Sequence, residues 1–192
     1  MSKRIALFSA AAFGALALTA AVIAPVSAQD KMMKSELSGE KTVMVGGAAM
    51  FPSKNIIQNA VNSKDHTTLV AAVKAAGLVE TLEGKGPFTV FAPTNAAFGK
   101  LPAGTVETLV KPESKATLTK ILTYHVVPGK LEASSLTDGK KLKTVEGEQL
   151  TVKKSGDTVM LVDAKGGSST VTIANVNQSN GVIHVVDTVL MP

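Results

Sequence analysis

Apolar positions follow three different rhythms along this chain. From Ile5 to Ile23 no charged residue interrupts them. Between Met50 and Leu122 they recur at the three- and four-residue intervals that gather them on one face of a helix. Beyond Tyr124 they fall in short runs rich in valine and isoleucine, several alternating with polar residues, as in Leu150-Thr151-Val152-Lys153. That alternation belongs to an antiparallel sheet with one wet face.

The elements follow from these rhythms. Ile56, Ile57, Ala60 and Val61 predict one short helix. Asp65 is placed to cap a second, whose inner face is Leu69, Val70, Val73 and Ala76 and which Gly77 stops. Leu78, Val79 and Leu82 add a further turn. A short strand follows over Phe88–Phe91, and Thr94 caps a brief helix over Asn95–Phe98. Thr105–Val110 gives another turn or two, and Pro112 opens a helix reaching about Leu122. Strands are expected over Tyr124–Val127, Lys141–Val145, Gln149–Lys153, Thr158–Val162, Val171–Ala174 and Ile183–Val186, with glycine-containing turns between them. Helices first and strands later argue for an α+β fold rather than a doubly wound sheet.

The uncharged first stretch changes where that fold begins. Lys3 and Arg4 precede it, and Pro25 followed by Val26-Ser27-Ala28 closes it with small residues. This is a secretory signal pattern, with cleavage expected after Ala28. The stretch is rich in alanine and holds Ser9, Gly14 and Thr19, which argues against a retained membrane anchor. Residues 29–50 are polar, then rich in Gly, Ala and Met, and read as a flexible leader. The expected organisation is a signal peptide at 1–28, a leader at 29–50 and one folded domain at 51–192. The expected location is the periplasm or outside the cell, with no stable membrane anchor after cleavage.

Composition and charge then exclude whole classes of partner. The formal charge of +5 falls to +3 without Lys3 and Arg4. No arginine then remains, and only four phenylalanines and one tyrosine are left. A nucleic-acid groove wants arginine and stacking aromatics, so nucleic acid is not an expected partner. The chain has no cysteine, which removes disulfides, thiolate metal sites and a cysteine nucleophile. An exported domain without disulfides must be held by its core alone, and a mature chain of 164 residues is long enough for that.

Candidate chemistry is sparse. None of His66, His125 and His184 has a second ligand at helical or strand spacing, so no metal site or cofactor is expected. His184 and Asp187 fall on opposite faces of a strand. No G-x-S-x-G, phosphate loop or dinucleotide fingerprint occurs, and Gly166-Gly167-Ser168-Ser169 reads as a turn. Glu146 and Glu148 flank Gly147 as solvated turn charges. Asn177-Gln178-Ser179 fits the glycosylation acceptor pattern. His125 and His184 each lie within an apolar run, where two readings stand: a core histidine bonded to backbone, or a binding or pH-sensitive site.

Three segments together resemble the fasciclin-like domain family. They are the block from Gly86 to Phe98 (GPFTVFAPTNAAF), the block from Leu122 to Gly129 (LTYHVVPG) and the closing block from Asn180 to Pro192 (NGVIHVVDTVLMP). With their order and spacing, the resemblance covers about 140 residues. Asn95 stands where many members have Asp, at a position that reads as a helix cap. The resemblance implies an antiparallel β-sandwich or wedge with the N-terminal helices packed against it. It also implies adhesion or extracellular interaction rather than catalysis. In some animal members the Tyr-His block is linked to integrin binding, which maps here to Tyr124 and His125 as candidate interaction residues.

The expected function is thus a secreted or periplasmic, non-catalytic module for cell adhesion or for interaction with a surface protein or polysaccharide, with self-association a means of multivalency. The alternative is a carrier holding a small apolar ligand between helices and sheet.

Overall fold

The structure, a computed structural model, describes residues 41–192. The expected signal peptide, its cleavage site and residues 29–40 of the leader lie outside the described residues. The rest of the leader differs from expectation. Val43–Val45 (β1) and Ala48–Met50 (β2) pair as an antiparallel hairpin. Its turn is Gly46-Gly47, both at positive φ, and its side chains Val45 and Met50 are buried. A three-residue strand carries too short a pattern to be read from sequence. Its burial against the helices is what fixes it.

A layer of short helices follows. It contains Ile56–Ala60 (α1), Thr67–Ala76 (α2), Val79–Glu83 (α3), Asn95–Gly99 (α4), Thr105–Leu109 (α5) and Lys115–Tyr124 (α6). Gly77 stops α2 in the left-handed conformation, as its place in the sequence predicts. Thr94 caps α4, its hydroxyl accepting from the Ala97 N–H. Asp65 does not cap α2, because it sits inside a 3-10 turn at Lys64–His66. The cap comes from a distant residue: the Asn95 Oδ1 accepts from the Thr68 N–H at 3.0 Å, and its Nδ2 donates to the Lys64 carbonyl at 2.8 Å. One side chain thus satisfies a helix N-terminus that its own segment leaves open.

The sheet has seven strands: Phe88–Pro93 (β3), Val126–Pro128 (β4), Lys141–Lys143 (β5), Gln149–Ser155 (β6), Thr158–Val162 (β7), Ser168–Gln178 (β8) and Gly181–Val186 (β9). Their order is β4-β3-β9-β8-β7-β6-β5. Every neighbouring pair is antiparallel except β3 and β9, which run parallel. The strand expected at Tyr124–Val127 begins two residues later, because Tyr124 ends α6 and His125 keeps helical backbone. At the other end of the sheet, the Val145 N–H reaches the Val126 carbonyl at 2.7 Å, so the curled sheet nearly closes on itself.

The parallel pair explains why its two segments are so apolar. β9 is buried at all six positions and β3 at five of six, since both of their faces are covered. Val90, Ala92, Ile183 and Val185 meet the helical layer in one core. Phe91 and Val186 point into a second core inside the curled sheet, with Tyr124, Leu150, Leu161 and Leu190. Where the two strands start, their backbones approach closely. A Cβ on Gly181 would lie 2.0 Å from the Phe88 carbonyl oxygen. β8 serves both cores by breaking its register between Val171 and Val176, with Asn175 at φ 58°.

Candidate functional site

Tyr124 and His125, the candidate interaction residues, are brought to the end of α6 and into the core: they are 0% and 2% exposed. The His125 Nδ1 lies 2.8 Å from the Ile121 carbonyl, and its Nε2 accepts from the Leu190 N–H at 3.0 Å. A carbonyl on one side and an N–H on the other fix the neutral ring, protonated at Nδ1. Desolvation lowers its pKa to about 4, against the opposing pull of the Ile121 carbonyl and the Asp163 carboxylate. The Tyr124 hydroxyl accepts from the Ala164 N–H at 3.0 Å, and burial pushes its pKa up. The Tyr-His pair therefore ties α6 to the loop after β7 and to the C-terminal segment. Asp163 completes this tie, accepting from the Met191 N–H at 3.2 Å.

His184 is the mirror case on β9. Its ring stacks on Phe91 with centroids 5.6 Å apart. The Nε2 lies 2.7 Å from the Leu131 carbonyl, and Nδ1 accepts weakly from the Asn175 N–H at 3.4 Å. Burial lowers its pKa, with the Leu131 carbonyl and Glu132 opposing. The core reading of both histidines is the one the geometry supports. His66 is also buried, and burial lowers its pKa while the Ala92 carbonyl and Asp65 pull it up. Its Nδ1 lies 2.9 Å from the Ser63 hydroxyl. The sequence gives no sign that this third histidine is enclosed, because Lys64, Asp65 and Thr67 around it are exposed.

Other candidates resolve into structural roles. Glu146 and Glu148 both face Lys120 of α6, at 3.5 and 3.4 Å. Asp187 is pushed up by desolvation, yet the Thr170 N–H, the Thr188 hydroxyl and Lys100 together bring its pKa below the ordinary value. Asn177, in the glycosylation pattern, lies within β8 and its Oδ1 is enclosed. Among the described residues no three His, Asp or Glu side chains are grouped to hold a metal ion, and no helix is long and apolar enough to cross a membrane.

One surface concavity of about 520 Å³ is open and of mixed polarity, where α1 and the α3–β3 loop meet the β8–β9 turn. Asn55, Gln58, Lys85, Pro87, Lys130 and Ser179 are among its walls. Asn180, at the base, holds the parts together. Its Oδ1 accepts from the Ile56 N–H at 3.1 Å, and its Nδ2 donates to the Leu82 and Gly84 carbonyls at 2.7 and 3.1 Å. Sequence reasoning reads Asn180-Gly181 as a turn only. Its partners lie 96 to 124 residues away and leave no local trace.

A family model described as the fasciclin domain matches residues 64–192. The chain is 51% identical over 153 residues to protein sll1483 of Synechocystis sp., covering 80% of this chain and 82% of that protein. It is 35% identical over 199 residues to the immunogenic protein MPB70 of Mycobacterium bovis, covering 100% and 98%. It is 39% identical over 153 residues to the cell surface glycolipoprotein MPB83 of the same species, covering 77% and 64%. Among solved structures, it is similar in fold to a FAS1 domain pair from the insect cell adhesion molecule Fasciclin I. The TM-score is 0.66 at 17% identity, and the match covers 74% of this chain and about half, 52%, of that one.

Proposed function

This chain belongs to the fasciclin domain family, and from that premise we propose that it is an exported, non-catalytic interaction module that binds a surface protein or polysaccharide in cell adhesion. The observation that carries the reading is the division of labour among polar side chains. Those with versatile chemistry, Tyr124, His125 and His184, are spent on backbone groups inside the fold. The amide and lysine side chains around the open concavity, Gln58, Lys85 and Lys130, face solvent. With the exposed Glu83 carboxylate in the same wall and Lys130 lying 3.7 Å from Glu132, these side chains form a mixed hydrogen-bonding surface that suits the hydroxyls of a polysaccharide, or the polar rim of a protein partner. The presence of a cell surface glycolipoprotein and a cell adhesion molecule among the similar proteins favours a place outside the cytoplasm.

The test is a binding assay of the purified protein against its own host's envelope polysaccharides and surface proteins, beside an adhesion assay of a deletion strain. Binding that falls at least tenfold in a Gln58→Ala/Lys85→Glu variant supports the concavity as the contact surface. Normal adhesion of the deletion strain, with no binding to any envelope fraction, overturns the reading. Tyr124 and His125 act in it by shaping the domain, so their substitution should lower stability before it lowers affinity.

A further inference from the structure

Away from the concavity, the outer face of β5 and β6 carries charge of one sign. Along β5, β6 and β7 the inward positions Leu142, Leu150, Val152, Val159 and Leu161 fill the second core. Alternation turns Lys141 and Lys143 of β5, and Gln149, Thr151 and Lys153 of β6, to the other side. The register sets Lys141 beside Thr151 and Lys143 beside Gln149. Lys141 and Lys143 are therefore about 7 Å apart along their strand. Lys153 lies diagonally from Lys141, at roughly 7–8 Å. All three lysines are exposed.

Negative charge is missing from this face. β5, β6 and β7 contain no carboxylate. In the β5–β6 turn, Glu146 and Glu148 are both held by Lys120 of α6. Asp138 accepts from the Lys154 N–H at 2.8 Å, and Asp157 stands in the β6–β7 turn. Among the described residues no carboxylate pairs with Lys141, Lys143 or Lys153. A merely solvated face mixes both signs. Lysine on an edge strand discourages strand pairing, which accounts for Lys141 and Lys143. It does not account for Lys153, because β6 has a neighbour on each side. Three like charges this close repel one another, and a polyanion laid across them relieves that repulsion.

Chemistry narrows the occupant. A lysine ammonium is a point charge on a flexible stem, without the planar fork that grips one carboxylate at two points. A row of such charges suits anionic groups spaced along a chain better than a single small anion. Gln149 and Thr151, set beside the lysines, offer donors and acceptors to hydroxyls. A membrane surface would want apolar side chains next to the cations. Of the four large apolar side chains that solvent reaches among the described residues, only Val145 adjoins this face; Met44, Val61 and Val110 belong to the hairpin and the helical layer.

We propose that the outer face of β5 and β6 is a binding surface for an acidic polysaccharide, with Lys141, Lys143 and Lys153 taking its uronate carboxylates and Gln149 and Thr151 its hydroxyls. The concavity lies elsewhere, at the β8–β9 turn, so either surface can hold without the other.

Polygalacturonate and its full methyl ester are the probes, because they share a backbone and differ in charge. Titration of the whole protein at low salt should show polygalacturonate binding at least tenfold more tightly than the ester, with the amide signals of Thr151 and Lys153 moving. That binding should fall at least tenfold in about 0.5 M sodium chloride, where surface charges are screened. Lys141→Gln/Lys143→Gln/Lys153→Gln should lose at least tenfold. Lys74→Gln/Lys111→Gln/Lys115→Gln, which removes the same charge from the helical layer, should stay within twofold of wild type. So should the concavity variant Gln58→Ala/Lys85→Glu. The proposal fails if wild-type protein binds neither polymer, or both alike, comparisons that need no variant to fold. It fails equally if the helical-layer variant loses as much as the sheet-face variant, which would make net charge the cause. Tighter binding to vesicles of phosphatidylcholine with about one-third phosphatidylglycerol, lost in the sheet-face variant, overturns it in favour of a lipid surface.

Discussion

At the scale of single residues, the polar side chains in this domain are chiefly connectors between backbone segments far apart in sequence. His125 joins α6 to the C-terminal segment 65 residues on, and losing it orphans the Ile121 carbonyl and the Leu190 N–H inside the core. His125→Ala should therefore cost about 3 kcal/mol or more, from the lost bonds and the cavity together, read as a lower urea midpoint at pH 7. Asn95 caps a helix that begins 28 residues before it. Asn95→Ala should cost about 1 kcal/mol, the usual worth of a cap. Asn95→Asp should cost less, because a carboxylate keeps the acceptor for the Thr68 N–H and suits the positive end of α2. Thermal denaturation of the two variants side by side checks the ranking; an aspartate as costly as alanine would mean that the donor to the Lys64 carbonyl matters more.

At the scale of elements, the parallel pairing of β3 with β9 organises the rest. It separates the two cores, and it depends on a close backbone approach that only glycine permits at residue 181. Gly181→Ala should destabilise by more than about 3 kcal/mol, since backbone rather than a flexible side chain must give way. Asn180→Ala, beside it, should cost about 1–2 kcal/mol by leaving partly buried backbone groups at the start of α1 and the end of α3 without partners. Amide exchange separates the two effects. Gly181→Ala should loosen β3 and β9 along their length, and Asn180→Ala should loosen the start of α1 and the end of α3. Equal, uniform loosening by both would contradict this division. The hairpin is the element that sequence reasoning mistakes for leader, because two three-residue strands hold no readable period. Its burial depends on partners from α1 and α2, which only the folded chain supplies.

At the scale of the whole molecule, three buried histidines make the fold acid-sensitive. All three have pKa values lowered by desolvation, that of His125 to about 4. Between pH 4 and 6.5 the unfolded chain takes up a proton at His125 that the folded chain refuses, so stability falls as pH falls through that window. His125 alone accounts for about 3 kcal/mol, at 1.36 kcal/mol per pH unit, and His66 and His184 act in the same direction. Asp187 acts at lower pH: its lowered pKa contributes stability that is lost as pH drops below the ordinary carboxylate range. Urea midpoints should fall steadily from pH 7 to pH 4.5, and His125→Ala should flatten that slope; a pH-independent midpoint would refute the buried neutral rings. The sequence by itself determined the α+β class, the Gly77 stop, the Thr94 cap and nearly every strand of the sheet, because turn residues and apolar period act over a few neighbours. The three blocks were likewise enough to indicate the family. Only the tertiary structure decided that β3 and β9 run parallel, that Asn95 and Asn180 serve distant helices, that Tyr124 and His125 are interior, and that His66 is enclosed. Those facts depend on which surfaces meet after the chain closes, and hydrogen bonds across a hundred residues leave no mark on the pattern around either partner.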